Sequence, residues 1–201
     1  MTTLDKSEIQ SVVLTGFPDH PYACFVFLRV LESGKARAWL GRWLPALTTT
    51  KERKPGPRVI NIALSATGLL ALGLDQDALA TFPRELQEGM AGTEHRSRVL
   101  GDTGSSAPET WVFGGRHNSD KDSGKSVDVM LLCYAQSETE LRGLCAELRR
   151  DYLESGALSE VYFRDTQLLP TPTEHFGFAD GISQPRVAGS GARSRPGMPL
   201  L

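Results

Sequence analysis

Residues 174–185 read EHFGFADGISQP, and between His175 and Pro185 the only carboxylate is Asp180. Gly177 and Gly181 bracket Phe178, Ala179 and Asp180. Glycines on both sides let a backbone turn sharply and approach a flat ligand closely. An acid set among apolar neighbours is partly desolvated, which favours its neutral form and raises its pKa. Such a carboxyl can take a proton and give it back, as a general base and then a general acid. The same residues would also suit a structured turn, and on residue types alone both readings stand.

Other candidate motifs fail on spacing. SDKDSGKS (119–126) ends like a phosphate-binding loop, but the required first glycine is Ser119 and an apolar strand pattern follows instead of a helix. Asp120 and Asp122 lack the remaining ligand spacing and closing glutamate of a calcium loop. His20, His95, His117 and His175 show no paired metal-binding spacing, and no serine sits in a G-x-S-x-G elbow. No metal site is expected from these residues.

The elements that must position the Asp180 segment are legible from periodicity. Residues 22–31, YACFVFLRVL, are apolar on both alternating faces and predict a strand buried on both sides. Ala36, Trp39, Leu40, Trp43, Leu44 and Leu47 keep helical spacing over a helix at 33–44, which Pro45 ends or kinks. A second strand is expected at 58–64, a short helix through Leu69, Leu70 and Leu72, and partial helix over 84–100. Residues 101–126 are dense in Gly, Ser, Asp and Asn and predict a loop. A third strand follows at 127–135. Ser137 and Glu140 then make a capping box for a helix carrying Leu141, Leu144, Cys145, Leu148 and Tyr152, with Gly156 at its end. A last strand is expected at 160–169, and Pro170 and Pro172 extend the chain beyond it.

This order predicts an α+β fold: a ferredoxin-like split βαβ with an antiparallel sheet and an insertion between strands 2 and 3. The expected organisation is a domain over 1–169, a loop over 170–187 and a tail over 188–201. Such a fold hosts many activities and does not itself name one.

The 201 residues, 40% apolar and 23% charged, suffice for one domain with a real core. A net charge of −2 gives no basic footprint for nucleic acid, and no apolar run approaches the ~18 residues of a membrane span. The N-terminal residues do not read as an export signal. Cys24, Cys133 and Cys145 have no metal-type spacing and are expected as free, buried thiols, which points to a reducing, cytoplasmic setting.

The string Gly177–Phe178–Ala179–Asp180–Gly181–Ile182–Ser183–Gln184–Pro185 resembles the signature of the dye-decolorising (DyP-type) haem peroxidases. IQSVVLTGF (9–17), FPRELQEGMAGTEHRSRVLGD (82–102) and SSAPETWVFGG (105–115) are similar to that family's opening and middle. The resemblance runs from about residue 9 to 185. It implies that haem b lies between two ferredoxin-like halves, and that this chain is the N-terminal, distal-side half. Asp180 would then meet hydrogen peroxide, while Gly177, Phe178, Ala179, Gly181, Ile182, Ser183 and Gln184 would pack on the haem. An organic reductant, a dye or a phenolic compound, would be the second substrate. The family's iron-ligating histidine and distal arginine lie beyond the matched region, so neither role is placed on this chain, and His175 is expected on the propionate side. A complementary C-terminal half, or a homo-oligomer, would complete the site. The alternative is a ferredoxin-like binding or interaction module that kept the motif without catalysis.

Overall fold

A computed structural model of the chain describes residues 4–52, 54–116, 126–171, 173–178 and 187–190. Four strands form one sheet: β1 (Tyr22–Val30), β2 (Arg58–Leu64), β3 (Val129–Ala135) and β4 (Leu158–Gln167). The order is β2-β3-β1-β4, with β1–β3, β1–β4 and β2–β3 all antiparallel. The crossover β1–α1–β2 thus leaves a gap that β3 fills, which is the split βαβ expected from the element order.

Two long helices cover one face. In α1 (Ser33–Trp43), Ala36 and Trp39 are fully buried. Glu32 caps it by accepting from the Gly34 and Lys35 amides at 2.8 and 2.6 Å, and these bonds hold its carboxyl below the usual range. Pro45 lies in the 3-10 turn Leu44–Ala46 that ends the helix, and Leu44 faces solvent rather than continuing the apolar stripe. The second long helix, called α6 because four short helices intervene, is Glu138–Glu154. Its residues Leu141, Leu144, Leu148 and Tyr152 are buried against Cys24, Val26, Leu131 and Cys133. Ser137 accepts from the Glu140 amide at 3.3 Å and donates its hydroxyl to the Glu140 carboxylate at 3.0 Å. Gly156 follows with a φ of +61°, a left-handed turn that glycine adopts freely.

The excursion between β2 and β3 holds α2 (Ala66–Ala71), α3 (Gln76–Ala80), α4 (Arg84–Glu88) and α5 (Glu94–Leu100), then two 3-10 turns. The helix α3 was not expected. Its signal is Asp75, whose side chain accepts from the Ala78 amide at 2.6 Å as an N-cap. Strands β3 and β4 both sit about two residues from their expected bounds. Ser126 to Asp128 precede β3 rather than opening it, because Asp128 turns its carboxylate to Thr67 and to the Val30 amide.

One expectation about the cysteines is corrected. Cys133 is a free, buried thiol, but the sulfurs of Cys24 and Cys145 meet between β1 and α6 and are joined as a disulfide. Sequence spacing could not show this, since the two lie 121 residues apart and meet only through the sheet-on-helix packing.

Candidate functional site

The Asp180 segment leaves the sheet from its outer edge strand. Beyond β4 the Leu168 amide still donates to the Pro21 carbonyl at 2.8 Å, and then the chain departs. Residues 174–178 form a turn in which the Gly177 amide donates to the Glu174 carbonyl and the Glu174 amide to the Phe178 carbonyl, both at 2.8 Å. Gly177 has a φ of +82°, so a left-handed turn does require glycine there. An added Cβ at Gly177 would meet nothing within 4 Å among the described residues.

The two phenylalanines of this turn point into solvent. Phe176 is 88% exposed and Phe178 is 75% exposed. Large apolar side chains held so far out commonly mark a surface that another body covers. Of the expected site residues, Gly177 and Phe178 therefore stand at the head of the segment. Ala179, Asp180, Gly181, Ile182, Ser183 and Gln184 lie outside the described residues, as do His117, Asp120 and Asp122.

The sheet face opposite α1 and α6 carries an aromatic layer that periodicity alone did not single out. Phe25, Phe27, Tyr134 and Tyr162 alternate with the helix-facing core residues and are only partly buried. Phe27 meets Phe113 at 4.9 Å between ring centroids, and Phe113 stacks on Tyr162 at 4.7 Å. Phe17 reaches Tyr134 at 4.6 Å on the same face. Burial holds the Tyr134 hydroxyl above its ordinary pKa. The signal was present in β1, where Phe25 and Phe27 occupy every second position, but reading the strand as buried on both sides hid its meaning.

Between this face and the excursion opens a cavity of about 720 Å³, lined by Phe27, Met90, Trp111 and Phe113 together with Glu85 and Arg116. Arg116 is the clamp of its outer wall. Its guanidinium donates to the Ala91 carbonyl at 2.9 Å and the Ser97 hydroxyl at 3.1 Å, and it pairs with Glu109 at 3.2 Å. The inner wall is pinned at Asp128, which accepts from Thr67 and from the Val30 amide, both at 2.9 Å.

A haem needs an axial ligand and partners for two propionates. None of the residues lining this cavity is a histidine, and its carboxylates Glu85 and Glu88 would repel propionates while Arg116 is already engaged. His20 is buried with Nε2 2.8 Å from the Gly56 carbonyl oxygen, and His95 and His175 are exposed. No group of three or more His, Cys, Asp or Glu side chains gathers among the described residues. Among the described residues, none is placed as an iron ligand. No helix among them is long and apolar enough to cross a membrane.

Comparison with known proteins points one way. No family model matches the chain. A dye-decolorizing peroxidase of Mycena epipterygia is 30% identical over 199 residues, covering 92% of this chain and 33% of the relative. The dye-decolorizing peroxidase msp1 of Mycetinis scorodonius is 26% identical over 208 residues, covering 98% of this chain and 37% of the relative. Among solved structures, an ancestral D-type dye decolorizing peroxidase superposes with a TM-score of 0.79 at 24% identity, covering 99% of this chain and 43% of the other. A fungal DyP-type peroxidase from Auricularia auricula-judae gives 0.75 at 19% identity, covering 100% of this chain and 42% of the other. The chain spans about a third of the curated relatives it matches. In sheet order and in the excursion between β2 and β3, the chain is thus similar over nearly its whole length to the dye-decolorising peroxidases, whose fold it shares and of whose members it spans well under half.

Proposed function

We propose that this chain forms the distal side of a haem peroxidase that reduces hydrogen peroxide and oxidises dyes or phenolic compounds, with Asp180 as its acid and base. The observation that carries the reading is the unbroken string from Gly177 to Pro185, entered through a turn whose Gly177 φ is +82°. The exposed Phe176 and Phe178 support it, because they give the segment an apolar front for a flat ring and for a second half to cover.

The haem, when bound, supplies the redox chemistry, and the protein supplies position, protons and exclusion of water. Cleaving peroxide requires one proton to move from the near oxygen to the departing one. Asp180 as carboxylate takes that proton, and as carboxylic acid it returns it, so that the departing oxygen leaves as water. In this reading Gly177 and Gly181 would give the backbone freedom to bring the Asp180 carboxyl to the peroxide, and Phe178, Ala179, Ile182, Ser183 and Gln184 would help hold the haem. An unperturbed aspartate titrates near ~3.9. Activity that depends on its carboxylate should hold in mildly acidic solution, where a histidine base would be protonated.

In this reading the iron ligand comes from a C-terminal half, in the same polypeptide or as a partner, which completes the site. A haemin titration with a peroxide-dependent dye assay at mildly acidic pH tests this. The chain alone should bind haem weakly and turn over little dye, and the second half should raise both. Stoichiometric haem held by a single histidine of the isolated chain, with rapid turnover, would contradict the reading, and His175 would then be the residue to replace.

A further inference from the structure

The three cysteines converge although the sequence scatters them. Cys24 on β1 is the direct register partner of Cys133 on β3, and both belong to the core beneath α6. Helix α6 brings Cys145 onto the same spot, where its sulfur meets that of Cys24. The Cα atoms of this pair stand 7.7 Å apart.

The three cysteines differ in access. Cys24 and Cys133 are fully buried, whereas Cys145 is partly exposed and lines a groove of about 240 Å³ between α6 and β4. Arg142 and Arg149, one turn to either side of Cys145, line the same groove. Each also meets a carboxylate, Glu138 and Glu160 respectively, and Asp165 of β4 faces the groove as well. Cys133 is kept out of the chemistry, since burial pushes its thiol up to about 12.

We propose that Cys145 and Cys24 form a peroxide-sensitive dithiol, in which peroxide entering the groove oxidises Cys145 and Cys24 closes the disulfide. This rests on the proposed function only in taking hydrogen peroxide as the molecule the protein meets, and it requires no haem. The Cys145 thiolate attacks one peroxide oxygen; the O–O bond breaks, a Cys145 sulfenic acid forms, and the other oxygen leaves as water after gaining a proton. The Cys24 sulfur then attacks the sulfenic sulfur, the S–S bond forms and the hydroxyl leaves as a second water. Two thiols lose two electrons and one peroxide gains them. The product ties the helix layer to the central strand across 121 residues of sequence.

The experiment uses the purified, haem-free chain, reduced, desalted and treated with one equivalent of hydrogen peroxide. Non-reducing peptide mass spectrometry should then find a Cys24–Cys145 cross-link, and the count of reactive thiols in denaturant should fall from three to one. In a Cys24→Ser variant, dimedone should label Cys145, whereas Cys133→Ser should leave cross-linking unchanged. Oxidation should raise the thermal midpoint by roughly 5–10 °C, reversed by a reductant. Three thiols surviving peroxide, a cross-link through Cys133, or dimedone on Cys133 in the Cys24→Ser variant would each overturn the proposal. Because haem is absent throughout, failure here leaves the peroxidase reading untouched, and failure of haem binding leaves this one untouched.

Discussion

Replacing Gly68 by alanine should destabilise the protein, although helix propensity alone predicts the opposite. Gly68 is buried within α2, and exchanging a helical glycine for alanine ordinarily stabilises by about 1 kcal/mol. Here an added Cβ would land on the carbonyl oxygen of Asp128 and lie 2.7 Å from its carbonyl carbon. Both are backbone atoms that cannot rotate away, so α2 or the start of β3 must shift. The bonds at stake are Ser65 amide to Asp128 carbonyl at 3.1 Å, Ser65 hydroxyl to Val127 carbonyl at 2.7 Å, and Thr67 hydroxyl to Asp128 carboxylate at 2.9 Å. Losing two or three of them costs about 0.5–1.5 kcal/mol each, and somewhat more for the charged acceptor. After the propensity gain, the net loss is about 1–3 kcal/mol, a fall in midpoint of roughly 3–10 °C for a chain of this size. Gly143→Ala is the control. It lies in α6 with only the flexible Arg58 guanidinium 3.4 Å from a new Cβ, and it should stabilise by about 0.5–1 kcal/mol. Urea unfolding of both variants decides the matter. A Gly68→Ala protein as stable as the parent, or more so, would refute the account of how α2 is pinned beside the 720 Å³ cavity.

Substitutions at two further positions probe the α6 and α1 layers. Tyr152 donates to Glu160 at 2.8 Å, and burial first, then that hydrogen bond and the Glu160 charge, hold its pKa well above the usual ~10. The phenol is favoured in its neutral form by folding, so this stability is fully present below pH ~10 and is lost as pH rises through the raised value. Tyr152→Phe should cost about 1 kcal/mol at neutral pH and flatten the alkaline decline, read by denaturant unfolding across pH. Trp39 is wholly buried, and its indole N–H has no hydrogen-bond partner among the described residues. Trp39→Phe should therefore stay within about 1 kcal/mol of the parent, since loss of an unsatisfied donor offsets loss of volume. Trp39→Ala should cost about 3–5 kcal/mol in the same assay.

The fold was legible where one physical signal dominated. Residues 22–31 and 58–64 announced strands through apolar and β-branched content, and Ser137 with Glu140 marked the start of α6. The split order of the sheet followed from the succession of elements and the reach of short connections. Other features were not legible because they arise from residues distant in sequence. The Cys24–Cys145 contact needs α6 laid on β1, and the Arg116 clamp needs the excursion folded back on α5. Helix α3 was overlooked because five residues carry little periodicity, although Asp75 marked its N-cap. At the site, Gly177 takes the positive φ that a turn glycine allows. The aromatic layer of Phe25, Phe27, Tyr134 and Tyr162 needed three strands in register before it could be seen.

The central claim is that Asp180 moves the proton when peroxide is cleaved, and Asp180→Asn tests it while keeping the side chain's size and shape. The measurement is stopped-flow absorbance in the haem Soret band, after mixing peroxide with the haem-loaded protein completed by its C-terminal half. The variant should retain haem, and the peroxide-driven spectral change should slow by about 10²-fold or more. An unchanged rate with haem retained would contradict the account and assign the proton transfer to another group.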